Sequence, residues 1–140
     1  MIRRISTAAI SLSLLLGITV GIASAGEMVP MKGRFEGVGG QGFWGNCTHL
    51  GQFEGQAQGG LTYWYAANGD WIAWQVTAFI PGESNPPISN FQLVQTIVDG
   101  SGRFKGAKGT VTLDIFQNDL TKEFDGTIDG TISRPNSGKK

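Results

Sequence analysis

Several residues that commonly define a function are scarce in this chain of 140 residues. It has one cysteine and one histidine, and charged residues make up only 16% of it. A single cysteine excludes an intrachain disulfide framework, and with the one histidine it supplies only two of the four ligands that a zinc site needs. The 11 basic residues balance 11 acidic ones, and this neutrality argues against the basic surface that nucleic-acid binding requires.

Glycine and hydrophobic residues are abundant instead. The chain has 22 glycines, and 40% of it is hydrophobic, which argues against disorder. The length predicts one domain. No window beyond the N-terminal region has the spacing of an amphipathic helix, whereas glycine, threonine, phenylalanine and tryptophan favour turns and strands.

The first 25 residues have the pattern of a secretory signal peptide. Arg3 and Arg4 precede an apolar stretch at 10–20, and the small residues Ala23-Ser24-Ala25 follow it. The apolar stretch is shorter than the roughly 20 residues of a membrane span, so we expect no membrane anchor. We predict that residues 1–25 are removed and that residues 26–140 form a single domain, periplasmic or secreted.

Alternation of apolar and polar residues predicts seven or eight strands in the exported part. A neutral, glycine-rich sheet with open edges would invite aggregation. We therefore predict an all-β fold, an antiparallel barrel of about eight strands that is closed or nearly closed. Residues 81–87 are predicted to be the longest connection, at one mouth of the barrel. The strand candidates are 31–36, 47–56, 61–65, 71–80, 91–98, 111–116 and 124–132.

Asn68-Gly69 predicts a tight hairpin between two of these strands, because a two-residue turn favours this pair. Such a turn places Tyr65 opposite Ile72. A slip of one residue would invert the faces of one strand. The face taken as inward carries Tyr63, Tyr65 and Trp74, and the face taken as outward carries Trp64 and Trp71.

A short phrase built on phenylalanine occurs four times. Each copy has a phenylalanine, then a charged residue, then a glycine, at 33–37, 51–55, 102–106 and 122–126. Neighbouring residues of a strand point to opposite faces. The phrase therefore predicts phenylalanine in the core, the charge in water, and glycine where the barrel wall bends.

Two segments carry a resemblance to known proteins. Residues 45–53, GNCTHLGQF, and residues 99–109, DGSGRFKGAKG, resemble small exported bacterial proteins of unknown function. The second segment also resembles the glycine-rich strand turn of the allene oxide cyclase and dirigent-type barrels. This resemblance implies an eight-stranded antiparallel barrel with a central cavity. No functional acid of those families matches a position here, so no catalytic residue is assigned.

The candidate ligand-binding residues are aromatic. Tyr63, Tyr65 and Trp74 are predicted to line the barrel interior, which in a barrel of about eight strands either holds a small ligand or is filled by side chains. His49 is a further candidate, two residues after Cys47. If both lay on one strand they would share a face. The alternative is that His49 fixes a turn through hydrogen bonds.

The leading hypothesis is an exported, non-enzymatic barrel that binds a small apolar or aromatic ligand or an envelope partner. One alternative is an isomerase or cyclase, which requires an ionisable group with a shifted pKa inside the barrel. Another is a protein-interaction module that exposes Trp64 and Trp71, unless the two rings pack against each other. No cofactor or metal is predicted.

Overall fold

The computed structural model describes residues 27–136, so the signal peptide predicted for residues 1–25 lies outside the described range. Each strand pairs antiparallel with the next, and the last pairs with the first, which closes the barrel. The predicted all-β, eight-stranded barrel is confirmed. Its strands are β1 Met28–Val38, β2 Phe43–Cys47, β3 Gly51–Gln58, β4 Leu61–Ala66, β5 Trp71–Asn85, β6 Ile88–Gly100, β7 Gly109–Asn118 and β8 Glu123–Ser133, with a short 3-10 turn, Gly102–Phe104, after β6.

The connections between strands alternate between the two ends of the barrel. Those at 39–42, 59–60, 86–87 and 119–122 lie at one end, which we call the hairpin end. The connection between β4 and β5 does not lie at this end. The other connections lie at the opposite end, where Met28 at the start of β1 is paired with Ser133 at the end of β8. Within residues 27–136 no helix is both long and apolar enough to span a bilayer.

Aromatic rings from six of the eight strands meet in the interior. Trp64 stacks on Phe53 with 4.9 Å between ring centroids and lies 4.7 Å from Trp74. Phe43 meets the ring of Trp64 edge-on. Trp64 and Trp74 have no exposed surface, and burial of such large side chains contributes on the order of 2–3 kcal/mol each. The remaining rings of the cluster belong to Phe35 and Phe124.

Inward-facing glycines make room for these rings. A Cβ atom on Gly55 would overlap the ring of Phe43, and one on Gly126 would lie 2.8 Å from Cζ of Phe35. In the three repeated phrases that lie on strands, phenylalanine points inward and the charged residue outward, as predicted. In the fourth, Phe104 is buried in the 3-10 turn rather than on a strand.

The predicted register of the β4–β5 hairpin is wrong by one residue. The N–H of Ala66 donates to the carbonyl of Asp70, and the N–H of Gly69 donates to Ala66, so the loop has three residues rather than two. Gly69 has a φ of 96°, and the amide oxygen of Asn68 accepts from the N–H of Asp70. This three-residue turn with a glycine bulge inverts β4: Trp64 points inward, and Tyr63 and Tyr65 point outward.

Two predicted boundaries are also wrong. The strand predicted at 47–56 is interrupted by a turn at 48–50, where His49 has a φ of 71°, so β2 and β3 are separate strands. The connection predicted at 81–87 is mostly strand. β5 continues to Asn85, and a tight turn at Pro86-Pro87, which contains a cis peptide bond, leads into β6.

Candidate functional site

A row of polar and aromatic side chains crosses the outer wall of five neighbouring strands. Asp125 is paired with Glu36, Glu36 with Trp44, Trp44 with Glu54, and Glu54 with Tyr65. Neighbouring strands lie about 4.8 Å apart, so the row is about 19 Å long. We call these five residues the acidic–aromatic row.

A second row lies parallel to the first on the same outer face. Arg34 is paired with Asn46, and Asn46 with Gln52. Each of these residues is two positions along its strand from a member of the acidic–aromatic row, and residues two apart share a face. The second row supplies hydrogen-bond donors, a guanidinium and two amides, beside the carboxylates of the first.

The two rows line a concave groove on the outside of the barrel. The groove has a volume of about 900 Å³. A smaller cavity of about 390 Å³ adjoins it, shares Glu36, Trp44 and Asp125, and reaches Phe116 on β7. The volume of the larger groove is in the range of small-molecule binding sites. Because this groove extends over several strands, it suits an elongated ligand better than a compact one.

Trp44 is the most exposed tryptophan of the described chain, with 46% of its surface accessible. Its indole Nε1 donates a hydrogen bond to Oε2 of Glu36 at 2.9 Å. This bond fixes the orientation of the ring without burying it. The flat apolar side chain of Trp44 therefore lies in the middle of the groove, with Glu36 on one side and Glu54 on the other.

The charges of the groove are mostly negative. Glu36, Glu54 and Asp125 contribute three carboxylates, and Arg34 contributes the one cation among the lining residues. Within residues 27–136 no cluster of three or more histidine, cysteine, aspartate or glutamate side chains is placed to hold a metal ion. Carboxylate oxygens accept hydrogen bonds from ligands that carry hydroxyl or amino groups, and one oxygen of Glu36 already accepts from Trp44.

The predicted ligand-binding residues do not form one site. Tyr65 lines the outer groove, and Tyr63 lies beside it, stacked at 6.2 Å between ring centroids and in edge contact with Trp71. Trp74 is in the interior. His49 lies in the β2–β3 turn at the end opposite the hairpin end, where its Nε2 is 3.1 Å from the carbonyl oxygen of Pro30.

Cys47 and His49 do not share a strand face. Cys47 ends β2 with its side chain buried, whereas His49 lies in the following turn. Burial raises the pKa of the Cys47 thiol to about 12, which keeps the thiol protonated at neutral pH. The structure thus brings together no thiol–imidazole pair. Only the alternative, in which His49 fixes a turn, agrees with its contact to Pro30.

The predicted surface pair of tryptophans is also separated. Trp64 has no exposed surface, because the true register turns it into the interior. Trp71 points outward as predicted, but it is half-buried against Tyr63. The prediction that Trp64 is exposed on an interaction surface is therefore wrong.

Three buried polar atoms in the barrel have no hydrogen-bond partner among the residues described. They are the Nε1 atoms of Trp64 and Trp74 and Oε1 of Gln95. An unpartnered buried donor or acceptor typically costs about 1–3 kcal/mol. No charged side chain is buried within residues 27–136, and Cys47 is the buried ionisable group there.

Sequence reasoning missed Trp44 and the residues paired with it. The segment Phe43-Trp44-Gly45-Asn46-Cys47 has the alternation of a short strand, with Phe43 and Cys47 on one face and Trp44 and Asn46 on the other. That alternation was the available signal for an exposed tryptophan. The pairing of Trp44 with Glu36 and Glu54 depends on strand register, which the sequence does not state.

Comparison of the chain with protein-family models, with curated proteins and with solved structures found no match. The assignment of a function therefore rests on the geometry and chemistry of the outer groove.

Proposed function

We propose that this protein is an exported, non-enzymatic carbohydrate-binding protein and that the outer groove around Trp44 is its binding site. The observation that carries the proposal is the exposed Trp44 ring, held by Glu36 in the middle of a row of carboxylates and a parallel row of donors. Aromatic rings fill much of the interior, which favours a site on the outer wall.

The chemistry of the groove matches the surface of a sugar. A sugar ring has an apolar face of C–H groups and an edge of hydroxyl groups. The flat ring of Trp44 offers a surface for the C–H face, Glu54 and Asp125 accept from hydroxyl groups, and Asn46 and Gln52 both donate and accept. Tyr65 provides a second aromatic ring near one end of the groove. A chain of sugars fits the length of the acidic–aromatic row.

Export is supported by the N-terminal sequence. Arg3 and Arg4, the apolar stretch at 10–20 and Ala23-Ser24-Ala25 form the three parts of a secretory signal. An exported protein meets the polysaccharides of the cell envelope and its surroundings, which are therefore the natural ligands to test. Mass spectrometry of the exported protein tests this part separately, with Gly26 expected at its N-terminus.

The non-enzymatic part of the proposal is supported by the interior. A cyclase or isomerase that used the lumen would need a group there that exchanges protons near neutral pH. Cys47 is the buried ionisable group within residues 27–136, and burial raises its pKa to about 12, away from that range. The resemblance to allene oxide cyclase and dirigent-type barrels thus supports a fold rather than an activity.

Isothermal titration calorimetry with soluble oligosaccharides of neutral, amino and uronic acid sugars tests the carbohydrate site. Trp44→Ala is expected to weaken binding at least about tenfold, as loss of a central aromatic contact does. Phe79→Ala is the matched control, because it removes another exposed ring, 59% accessible, outside the groove. Absence of binding to every oligosaccharide, or equal loss in both variants, would contradict the proposal, and release of shortened sugars would contradict its non-enzymatic part.

A second candidate is a small molecule bound inside the barrel. The unpartnered Trp64 Nε1, Trp74 Nε1 and Gln95 Oε1 favour it, since together they offer two donors and one acceptor. Titration of tryptophan fluorescence with a library of small aromatic compounds separates the two candidates. A ligand in the interior would change the emission equally in the wild type and in Trp44→Phe, whereas a ligand in the groove would lose most of its effect in that variant.

A further inference from the structure

The outer edge of β5 lacks a neighbour over most of its length. β4 is paired with β5 only from Trp71 to Trp74. Beyond Trp74, β6 is the one strand paired with β5 in the part of the chain that the structure describes. The second edge of β5, from Gln75 onward, therefore presents unpaired backbone N–H and C=O groups, which are a template for another strand.

This free edge carries hydrophobic side chains on both faces. Val76, Phe79 and Ile80 are 43%, 59% and 45% exposed. Phe79 packs on Phe91 of β6, with 5.4 Å between ring centroids, and Ile80, the next residue, points to the opposite face. A strand added to the edge would cover surface on both sides of the sheet.

The two strand segments that form the edge region carry no charged residue. No charged residue occurs between 75 and 82 on β5 or between 88 and 98 on β6. Monomeric proteins usually protect free edges with lysine, proline or bulges. Here Pro81 has no N–H to donate, and a bulge interrupts the β5–β6 pairing between Val76 and Ala78, but no charge opposes pairing between Gln75 and Ile80.

We propose that two copies of this protein associate through residues Gln75–Ile80 of β5, paired antiparallel about a two-fold axis. Antiparallel pairing of an edge with itself matches donors to acceptors on both chains, so the edge is complementary to its own copy. The lack of charge favours the copy over a charged partner, because self-pairing brings no like charges together and a charged strand would find no counter-charge.

The area of contact predicts a reversible dimer. A stretch of six residues is about 20 Å long, and a stable interface of standard size buries about 800 Å² on each partner. A single pair of short strands with its neighbouring side chains buries less area than such an interface. The dimer is therefore expected to form as the protein concentration rises, rather than to be permanent.

Sedimentation velocity over a range of concentrations tests the proposal on the full exported chain. The wild type is expected to shift from monomer to dimer. Ala78→Lys and Ala78→Glu each place a like-charged pair near the two-fold axis and are expected to weaken dimerisation at least about tenfold. Ala78 is exposed, so both variants should fold, and thermal melts followed by circular dichroism verify this.

A mixture of the two charged variants provides the decisive measurement. Two-fold pairing brings the introduced lysine of one copy close to the introduced glutamate of the other, so an equimolar mixture is expected to dimerise while each variant alone stays monomeric. Leu120→Lys is the matched control, because Leu120 is 80% exposed in the β7–β8 connection, away from the edge, and the variant should dimerise like the wild type. A wild type that stays monomeric at every concentration, a dimer that survives both Ala78 variants, or a mixture that does not associate would overturn the proposal.

Discussion

Trp44 and Glu36 face each other on adjacent strands and are joined by a 2.9 Å hydrogen bond from the indole nitrogen to the carboxylate. This bond sets the position of the exposed ring, and Glu36 is a charged group beside any ligand that stacks on Trp44. The groove thus combines a fixed apolar surface with negative charge.

Amino sugars should bind the groove more tightly than uronic acids of the same length, because the groove is lined by three carboxylates and only one guanidinium. Glu54→Gln should weaken binding of amino-sugar oligomers about two- to fivefold, the range of exposed ion pairs, and leave neutral oligomers nearly unchanged. Calorimetry at low and high salt checks this, since only the charged contribution is screened. Tighter binding of uronic acid oligomers would contradict the prediction.

Gly55→Ala should destabilise the barrel by about 1–3 kcal/mol, the usual cost of added volume in a packed core, because the new Cβ would meet the ring of Phe43. Phe43→Leu shortens the group that the Cβ meets, so Gly55→Ala should cost less in that background. Urea denaturation of the wild type, both single variants and the double variant measures this coupling. Strict additivity of the two effects would mean that the ring and the glycine do not constrain each other.

Cys47 should resist alkylation in the folded protein at pH 8 and react only after unfolding, because its thiol is buried and its pKa is raised from 9.0 to about 12. The same shift links stability to alkaline pH. Below pH 9 the thiol is protonated in both the folded and the unfolded protein, so the full stability is present. As the pH rises from about 9 to about 12, the unfolded thiol ionises while the folded one stays protonated, and the free energy of unfolding falls. Mass spectrometry after iodoacetamide treatment measures the first effect.

Cys47→Ala provides the control for the pH effect. The variant lacks the thiol, so its free energy of unfolding should fall less steeply than that of the wild type between pH 9 and pH 12. The tyrosines and lysines titrate in both proteins, and the comparison therefore isolates Cys47. Equal slopes for the two proteins would show that the thiol does not carry this pH dependence.

Arg103→Lys should destabilise the barrel by about 1–2 kcal/mol. The guanidinium of Arg103 binds the carboxylate of Asp70 at 3.2 Å and the carbonyl oxygen of His49 at 2.9 Å, so it ties two turns at one end of the barrel. A lysine ammonium does not reproduce this two-armed geometry. Thermal and urea denaturation measure the change.

The Lys32–Asp129 ion pair is the comparison for Arg103. Both side chains are about two-thirds exposed, and such pairs contribute little to stability. Asp129→Asn should therefore change the free energy of unfolding by less than about 0.5 kcal/mol. A larger effect for Asp129→Asn than for Arg103→Lys would show that the exposed ion pair stabilises the barrel more than the Arg103 contacts do.

Much of the fold was predictable because the alternation of side chains is local. On β8, Ile128 and Ile132 face the interior and Asp129 and Thr131 face water, as the sequence pattern indicates. The β4–β5 hairpin was not predictable to the same degree. A two-residue and a three-residue turn both suit Asn68 and Gly69, and the difference of one residue decides whether Tyr63 or Trp64 enters the core.

The candidate site was less accessible to sequence reasoning than the fold. Glu36, Trp44 and Glu54 come from three strands and become neighbours only through the register of two strand pairs. The aromatic patch predicted from one hairpin included Tyr65, which does line the groove. The prediction placed Tyr65 inside the barrel, however, whereas the structure places it on the outer wall. Lateral neighbours in a sheet depend on pairing across the whole barrel, whereas sequence patterns describe one strand at a time.

The pairing of Met28 with Ser133 also has a consequence for how the chain can be rearranged. Because β1 begins where β8 ends, a short linker from Ser133 back to Met28 would span a small gap, and new termini could be opened at Gly59-Gly60. Such a circular permutant would retain every neighbouring strand of the closed wall.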